Sequence, residues 1–262
     1  MRFLFEPSVG RSLTSPKPVA SEGAGRALIL PQRVCPERWR EGVAARSSAC
    51  IMGLVEGSEL AYVGLGANVG APRDQLSHAV AALGALPGVA IDGVSPLYRS
   101  RPVGPVAQSD FLNAVVGLEV PAGPDPAHAA MALLIALKSI ERAMGRQDRE
   151  RWGPREIDLD LLLFGAHVLR LEREAWARSD DPMRTGAQWL EVPHPAAGDR
   201  LFVLAPLADL APRLEPPGWR MNVAMARDRA LEAEGTDAAR VIAVWEEGAG
   251  AWIDAAPDAS TG

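Results

Sequence analysis

The stretch IDLDLLLFG, residues 157–165, constrains the fold more than any other part of the chain. Two carboxylates, Asp158 and Asp160, stand two positions apart in a run that is otherwise Ile, Leu and Phe. Side chains of a β-strand alternate between two faces, so these carboxylates share one face, roughly 7 Å apart along the strand. The other face then carries Ile157, Leu159 and Leu161. The pattern predicts a strand with one face on a core and one polar face.

The order of the other patterned segments completes a βαββαβ arrangement. LAYVGLGAN, VAIDGVSPLYRS and FLNAVVGLEV are each typical of a strand. One helix is predicted between Pro72 and Pro87-Gly88, and a second over 126–144. Their apolar stripes are Leu76, Val80, Leu83 and Leu86 in the first, and Met131, Leu134, Leu137, Ile140 and Met144 in the second. We therefore predict an α+β fold with a ferredoxin-like βαββαβ core, an antiparallel-containing sheet with helices packed on it, and extra C-terminal elements.

The remaining segments are patterned more weakly. Residues 1–58 are rich in Arg, Pro, Ser, Gly and Ala without a sustained period, and we expect a disordered N-terminal extension there. The main domain is predicted to span 59–220. Inside it, 166–190 is interpreted as an irregular surface insertion and DRLFVLAPLADLAP as a helix with prolines. Residues 221–262 are predicted to form a C-terminal helical segment and an acidic, alanine-rich tail.

Overall charge and cysteine usage narrow the class of protein. A formal net charge of −6 argues against a chain built to coat nucleic acid or an anionic membrane. Cys35 and Cys50 have no metal-type spacing, and we expect them to form no structural disulfide framework, which fits a reducing compartment. No apolar run reaches the length of a membrane span. We expect a cytoplasmic monomer that binds neither nucleic acid nor membrane.

The paired carboxylates need a partner of opposite charge. Unpaired burial would be costly, and Mg²⁺ suits such a pair because it prefers oxygen ligands and completes its shell with water and phosphates. On the Asp-x-Asp spacing alone, a half-exposed strand edge with aspartates paired to arginines is an equally good interpretation. The preceding loop carries Arg146, Arg149, Arg151 and Arg155, whose planar forks match phosphate oxygens. Together these groups favour phosphoryl transfer, although a run of charges is more often a solvated loop.

Four segments, in order, identify a resemblance to a known family. RWGPREIDLDLLLFG resembles the signature of the 6-hydroxymethyl-7,8-dihydropterin pyrophosphokinases, enzymes of folate biosynthesis. AYVGLGANVG, SPLYRSRPVGPVAQSDFLNAVV and VPHPAAGDRLFVLAPLADLAP are similar to three further segments of that family. The resemblance covers about residues 60–214. It implies a ferredoxin-like pyrophosphokinase domain that transfers diphosphate from MgATP to the hydroxymethyl group of 6-hydroxymethyl-7,8-dihydropterin and releases AMP.

The resemblance also implies roles for individual residues. Asp158 and Asp160 would hold two Mg²⁺ ions bridging the ATP phosphates, and Arg146 and Arg155 would neutralise the transferred diphosphate; these four are the expected catalytic residues. The expected ATP contacts are Glu141, Arg151, Trp152, Leu161, His194 and Arg200. The expected pterin contacts are Ser100, Val103, Phe111, Asn113, Trp152 and Phe202. An Asn amide suits a pterin edge that offers donors and acceptors, and two aromatic rings can sandwich a flat heterocycle. Without the resemblance, each Phe would be interpreted as core packing.

Other classes of protein fit less well. Gly64, Gly66 and Gly70 follow a strand, but their GxGxxxG spacing departs from the dinucleotide-binding pattern and no repeated βαβ units follow. An RNA-binding or nucleotide-binding ferredoxin-like module without catalysis shares the topology. Such an RNA-binding module needs a basic face and exposed sheet aromatics, which this sequence does not indicate. A fold that has lost catalysis is disfavoured because every metal and arginine position of the resemblance is filled.

Overall fold

The computed structural model describes residues 57–103, 107–146, 153–173 and 187–254. Within these ranges lie four α-helices and nine strands. The helices are α1 (Pro72–Gly84), α2 (Pro126–Ala143), α3 (Leu201–Leu210) and α4 (Val223–Glu234), with a short 3₁₀ helix over Ala197–Asp199. The strands are β1 (Ser58–Ala67), β2 (Ala90–Val94), β3 (Leu97–Ser100), β4 (Phe111–Pro121), β5 (Asp158–Phe164), β6 (Leu169–Glu172), β7 (Trp189–Val192), β8 (Ala239–Glu246) and β9 (Ala251–Asp254).

Seven of the strands form one sheet, in which every pairing is antiparallel. Its order is β5-β1-β4-β3-β8-β9, and β2 also pairs with β4. If β2 and β3 are counted as one interrupted strand, the first four strands in this order are the fourth, first, third and second strands along a βαββαβ chain. The predicted ferredoxin-like α+β core is confirmed.

Helices cover both faces of this sheet, because each face carries apolar side chains that must leave water. One core packs α1 and α2 against the sheet and includes Val63, Leu76, Leu83, Leu134 and Leu137. The opposite face packs against α3 and α4 through two smaller clusters, which include Tyr98, Val115, Leu204, Leu207 and Ala226. The result is a helix–sheet–helix arrangement with β1 and β4 at its centre.

The helix boundaries follow local chemistry. The carboxylate of Asp125 accepts a hydrogen bond from Ala127 N at 2.9 Å, and Pro126 takes the first helical position of α2. This helix ends at Ala143, close to the predicted 126–144. Helix α1 begins at Pro72 as predicted but ends at Gly84. The prediction that its stripe extends to Leu86 is wrong, because that residue lies beyond the last turn.

The segment VAIDGVSPLYRS was predicted as one strand, and this is wrong. It is divided into β2 and β3 at Ser95-Pro96. Proline has no backbone N–H to donate, so the ladder to β4 cannot run through it. Ser95 bridges the gap, since its hydroxyl accepts a hydrogen bond from Val115 N at 2.9 Å and its own N–H donates to Val115 O at 3.0 Å.

Both ends of the 166–190 segment are regular, so the prediction of an irregular insertion is wrong for them. Strand β6 pairs antiparallel with β7 in a separate two-stranded sheet. Residues 174–186 lie outside the described part of the chain. Helix α3 forms where predicted and contains Pro206.

The C-terminal segment contributes more than the predicted helix. Helix α4 is followed by β8 and β9, two strands that the sequence analysis did not predict, and β8 pairs with β3 to extend the main sheet. Trp252 of β9 is 2% exposed and its indole N–H donates to Ser95 O at 2.9 Å. At the N-terminal end, disorder was predicted over 1–58, but of these residues the structure describes only Gly57 and Ser58. Ser58 begins β1.

Candidate active site

Strand β5 presents its two aspartates on one face and its leucines on the other, as the alternation predicts. Leu159 and Leu161 are buried in the core beneath α1 and α2. The register to β1 then shifts, because Val63 pairs with Leu161 and Tyr62 with Leu163. Leu162, the extra residue of this β-bulge, packs with Leu163 in the core of the opposite face. Bulges of this kind re-aim side chains and are common beside functional sites.

Arginines from both sides hold the first aspartate. Arg146 Nη1, just past the end of α2, donates to Asp158 Oδ1 at 2.7 Å, and Arg155 Nη1 donates to Asp158 Oδ2. Burial would raise the pKa of Asp158, but the positive charges of Arg155, Lys138 and Arg146 outweigh it and lower the pKa to about 2. The carboxylate is therefore ionised at neutral pH.

The second aspartate is more open. The side chain of Asp160 is 44% exposed, and Lys138 Nζ lies 3.7 Å from its Oδ1. Both interpretations of the Asp-x-Asp pair therefore have a basis in the geometry. Arginines pair with Asp158, while two ionised or accessible carboxylates on one face also offer the hard oxygen ligands that Mg²⁺ prefers. No cluster of three or more His, Cys, Asp or Glu side chains suited to a metal lies within the described ranges.

Two glycines of β1 leave the sheet bare beside these carboxylates. Gly64 pairs with Asp160 on one side and Val115 on the other, and Gly66 pairs with Asp158 and Asn113. A Cβ placed on Gly66 would lie 3.4 Å from Asn113 Oδ1. Since no side chain rises from β1 here, a cavity can extend across the strand from the carboxylates to the asparagine.

A cavity of about 150 Å³ lies over this glycine floor. Nine of the sequence-predicted site residues line it: Ser100, Val103, Phe111, Asn113, Arg155, Asp158, Asp160, Arg200 and Phe202. These residues come from β3, β4, β5, the start of α3 and the connecting loops, so the fold brings together positions up to about a hundred residues apart in the sequence. The two carboxylates among these predicted residues are on β5. The aromatic and amide side chains among them are on β4 and in the first turn of α3.

The other predicted residues lie elsewhere. Leu161 is 2% exposed on the opposite face of β5, and Glu141 is 2% exposed beneath the strand, so neither side chain lines the cavity. His194 follows β7, where its N–H donates to Leu162 O at 2.8 Å and its ring Nδ1 accepts from Ala196 N at 3.3 Å. Arg149, Arg151 and Trp152 lie outside the described residues.

The aromatic and amide end of the cavity is held by β3 and β4. Asn113 Nδ2 donates to Ser100 Oγ at 2.8 Å, and both residues are buried. Phe111, two positions earlier on β4, and Phe202, in the first turn of α3, also line the cavity. The guanidinium carbon of Arg200 lies 5.7 Å from the centroid of the Phe202 ring. This end therefore combines a buried amide with two half-buried rings, which suits a flat polar heterocycle.

Asn68 forms hydrogen bonds that join three parts of the site, a role that was not predicted from the sequence. Its Nδ2 donates to Gln108 Oε1 and to Ser109 O, both at 3.0 Å, and its Oδ1 accepts from Arg155 N at 2.8 Å. Its own N–H donates to Arg155 O at 2.9 Å. The end of β1 thereby fixes both the loop before β4 and the arginine beside Asp158.

Several lining residues were also missed, namely Gly64, Gly66, Gln108, Leu162 and Val203. The signal for the two glycines was present, since they alternate in a strand as the two aspartates do. Recognising them required the register between β1 and β5.

No helix in the described part of the chain is long and apolar enough to cross a membrane.

Comparison with known proteins gives one family for this arrangement. The family model described as 7,8-dihydro-6-hydroxymethylpterin-pyrophosphokinase matches residues 62–212. The chain is 43% identical over 159 residues to the 2-amino-4-hydroxy-6-hydroxymethyldihydropteridine pyrophosphokinase of Pseudomonas aeruginosa, covering 61% of this chain and 85% of the relative. It is 36% identical over 158 residues to the protein of that name from Bacillus subtilis, covering 60% and 81%.

Solved structures agree at the level of the fold. The wild-type HPPK-DHPS of Plasmodium falciparum, crystallised with pteroate, superposes with a TM-score of 0.54 at 15% sequence identity. The match covers 74% of this chain and 48% of that one, so this chain corresponds to about half of the larger protein.

Proposed function

This chain belongs to the 7,8-dihydro-6-hydroxymethylpterin-pyrophosphokinase family, and from that premise we propose how its site performs the reaction. It transfers the diphosphate group of ATP to the hydroxymethyl group of 6-hydroxymethyl-7,8-dihydropterin and releases AMP, in folate biosynthesis. The single observation that carries the proposal is the cavity over Gly64 and Gly66, which joins Asp158 and Asp160 to Asn113.

The reaction requires two substrates at the two ends of one cavity. The hydroxymethyl oxygen of the pterin attacks the β-phosphorus of ATP, the bond from that phosphorus to the α,β-bridging oxygen breaks, and the bridging oxygen leaves with AMP. The hydroxyl proton is released in the same step. Such transfers depend on positioning and charge neutralisation more than on covalent chemistry, so no strong general base is needed.

The pterin occupies the end formed by β3, β4 and α3. The amide of Asn113 bonds the polar edge of the heterocycle, and its orientation is fixed by Ser100 at 2.8 Å. Phe111 and Phe202 lie against the two faces of the ring, and Val103, 48% exposed, covers it from the loop after β3. The absent side chains at Gly64 and Gly66 let the hydroxymethyl group reach toward β5.

The ATP phosphates occupy the end beside β5. Asp158 and Asp160 would hold two Mg²⁺ ions with the nucleotide, and these ions would neutralise charge on the phosphate oxygens. Arg155 and Arg146 already lie against Asp158 and carry permanent positive charge, so they are placed to meet the transferred diphosphate. Arg200 lines the same cavity and adds a further guanidinium. Arg151, Trp152, His194, Leu161 and Glu141 remain proposed ATP-side residues, and Trp152 also a pterin contact, on the resemblance alone.

The alternative of a nucleotide-binding or RNA-binding ferredoxin-like module without catalysis is not favoured, since the family and its named relatives are pyrophosphokinases. A monomeric state and a cytoplasmic location stay predictions.

The proposal is tested by mixing the protein with MgATP and the reduced pterin alcohol and separating the nucleotide products. We expect AMP that forms only when the pterin is present. ADP as the product, or turnover that does not depend on the pterin, would contradict the proposal.

A further inference from the structure

Strand β5 is the outermost strand of the main sheet, and its free edge is covered by a helix instead of another strand. The sheet order places β1 on one side of β5 and no strand of the described chain on the other. Leu159 turns its backbone N–H and C=O toward this free edge and is fully buried. Buried backbone groups without partners are costly, so this edge must be satisfied by something other than a ladder.

Two side chains of α2 supply the missing partners. Lys138 Nζ donates to Leu159 O at 2.7 Å, and Glu141 Oε1 accepts from Leu159 N at 2.6 Å. The two side chains are three positions apart on one helical face and also bond each other at 2.7 Å. Lys138 and Glu141 thus form hydrogen bonds with both backbone groups of Leu159, as a neighbouring strand would. We call Lys138 and Glu141 the edge clasp.

Leu159, the residue held by these two hydrogen bonds, lies between Asp158 and Asp160. Fixing both backbone groups of Leu159 fixes the peptide planes on either side, and with them the directions in which Asp158 and Asp160 project. The clasp also touches the charged groups above it. Lys138 Nζ lies 3.7 Å from Asp160 Oδ1, and Arg146 Nη1 lies 2.5 Å from Glu141 Oε1 while donating to Asp158. The pair therefore reaches the carboxylates through the backbone and through side chains.

We propose that Lys138 and Glu141 are positioning residues that set the separation and direction of Asp158 and Asp160 for metal-bound phosphates. This inference rests on the proposed function and adds a structural role for Glu141. Its carboxylate is 2% exposed and contacts a backbone N–H, a lysine and an arginine, so these contacts lie beneath the face that carries Asp158 and Asp160. Groups that orient metal ligands in this way commonly contribute 10- to 100-fold to metal affinity, as an order of magnitude.

Three substitutions separate positioning from charge and from general stability. Glu141→Leu removes the acceptor of Leu159 N, while Glu141→Gln keeps an oxygen in that place without the charge. Lys138→Met removes the donor to Leu159 O and also a positive charge near Asp160. Ser139→Ala is the matched control on the same helix, because Ser139 is exposed and its hydroxyl bonds only Ile135 O among the contacts of the described residues.

Two readouts do not require turnover. The exchange rate of the Leu159 amide is measured by NMR, and the affinity for Mn²⁺ is measured by water proton relaxation with α,β-methylene-ATP present. We expect Glu141→Leu to accelerate exchange of that amide and to weaken Mn²⁺ binding about tenfold. Glu141→Gln restores most of both, and Ser139→Ala changes neither. The KM for the pterin stays within about twofold in all four, since the pterin end is formed by other strands.

Lys138→Met gives the sharpest discrimination, because two effects have opposite signs. Removing a cation 3.7 Å from Asp160 would strengthen Mn²⁺ binding by charge alone, whereas loss of the clasp weakens it. We expect weaker binding. Tighter binding in Lys138→Met, or equal loss in Glu141→Gln and Glu141→Leu, would overturn the positioning role. A wild-type protein without pterin-dependent AMP formation would refute the proposed function, while amide exchange and Mn²⁺ affinity would still test the role of the edge clasp.

Discussion

Asn113 Nδ2 donates a 2.8 Å hydrogen bond to Ser100 Oγ across the neighbouring strands β4 and β3, and both side chains are buried at the cavity wall. The bond orients the amide, because an unrestrained Asn could present either its oxygen or its nitrogen to a ligand. The remaining donor and acceptor of Asn113 are thereby set for the edge of a heterocycle. On the proposed function, Ser100 therefore contributes to pterin binding by orienting the amide of Asn113.

Replacing Ser100 with Ala should raise the KM for the pterin about fivefold with little change in kcat. The expected size follows from the roughly 1 kcal/mol that a neutral hydrogen bond contributes. Steady-state kinetics with the pterin varied at saturating MgATP measures the effect. Ser139→Ala, which removes an exposed hydroxyl from α2, serves as the control. A fall in kcat with unchanged KM would show that Ser100 acts on the chemical step instead.

Adding a single methyl group at Gly66 should block the floor of the cavity. The new Cβ would lie 3.4 Å from Asn113 Oδ1, in the space between the asparagine and Asp158. We expect Gly66→Ala to raise the KM for the pterin by on the order of tenfold or more, while thermal stability stays close to that of wild type. Gly84→Ala at the end of α1, remote from the cavity, is the control. Pterin binding as tight as in wild type would contradict the account of the floor.

Truncating Asn68 should loosen two parts of the site together. Asn68→Ala removes three hydrogen bonds, to Gln108, Ser109 and the backbone of Arg155, and leaves buried groups without partners. We expect a loss of about 1–3 kcal/mol in the free energy of unfolding. The value of kcat should fall by a larger factor than in Gln108→Ala, which removes only the first of these contacts. Urea denaturation and initial-rate kinetics provide the two measurements, and equal kinetics in both variants would argue against the link to Arg155.

Removing the charge of Arg155 should slow the transfer step. Its guanidinium contacts Asp158 and lines the cavity, so Arg155→Ala withdraws a cation from the place where charge moves between phosphates. We expect kcat to fall by on the order of 10²–10³, as when a preorganised charge-stabilising donor is lost elsewhere, with a smaller change in KM for the pterin. Single-turnover kinetics isolates the step. Arg170→Ala is the control, since Arg170 is exposed and pairs with Glu191 on the β6–β7 hairpin.

The C-terminal hairpin should be part of the cooperative fold. Trp252 is 2% exposed, stacks edge-on against Trp245 with ring centroids 4.8 Å apart, and bonds Ser95 O. Trp252→Ala should lower the free energy of unfolding by about 3–5 kcal/mol. The neighbouring Ile253 is 47% exposed, and Ile253→Ala should change it by less than about 0.5 kcal/mol. Equal effects of the two substitutions in urea denaturation would show that the hairpin is not packed as described.

The βαββαβ core of this fold could be predicted from the sequence because most of its strands and helices carry their own local residue pattern. The alternation around Asp158 and Asp160 predicted their shared face, and the apolar stripe over 126–144 predicted α2 close to its observed bounds. The split of the second strand at Pro96 was also a local signal that could have been used. Strands β8 and β9 were missed because their apolar positions are interrupted by exposed residues and their pairing with β3 joins segments far apart in the sequence.

Features that depend on register could not be predicted in the same way. Gly64 and Gly66 have meaning only once β1 is known to lie between β4 and β5. The burial of Glu141 depends on which edge of the sheet α2 covers, a property of tertiary packing and not of helical spacing. The resemblance supplied the expected site residues, whereas the strand order explains why nine of them line one cavity.

The central claim is that the β- and γ-phosphates of ATP move together to the pterin. The direct test uses ATP labelled with ³²P at the β-position, incubated with the wild-type protein, Mg²⁺ and the reduced pterin alcohol. We predict that the label leaves the nucleotide and appears on the pterin as AMP accumulates in equal amount. Label retained in ADP, or label released as inorganic phosphate or diphosphate without a labelled pterin, would contradict the account.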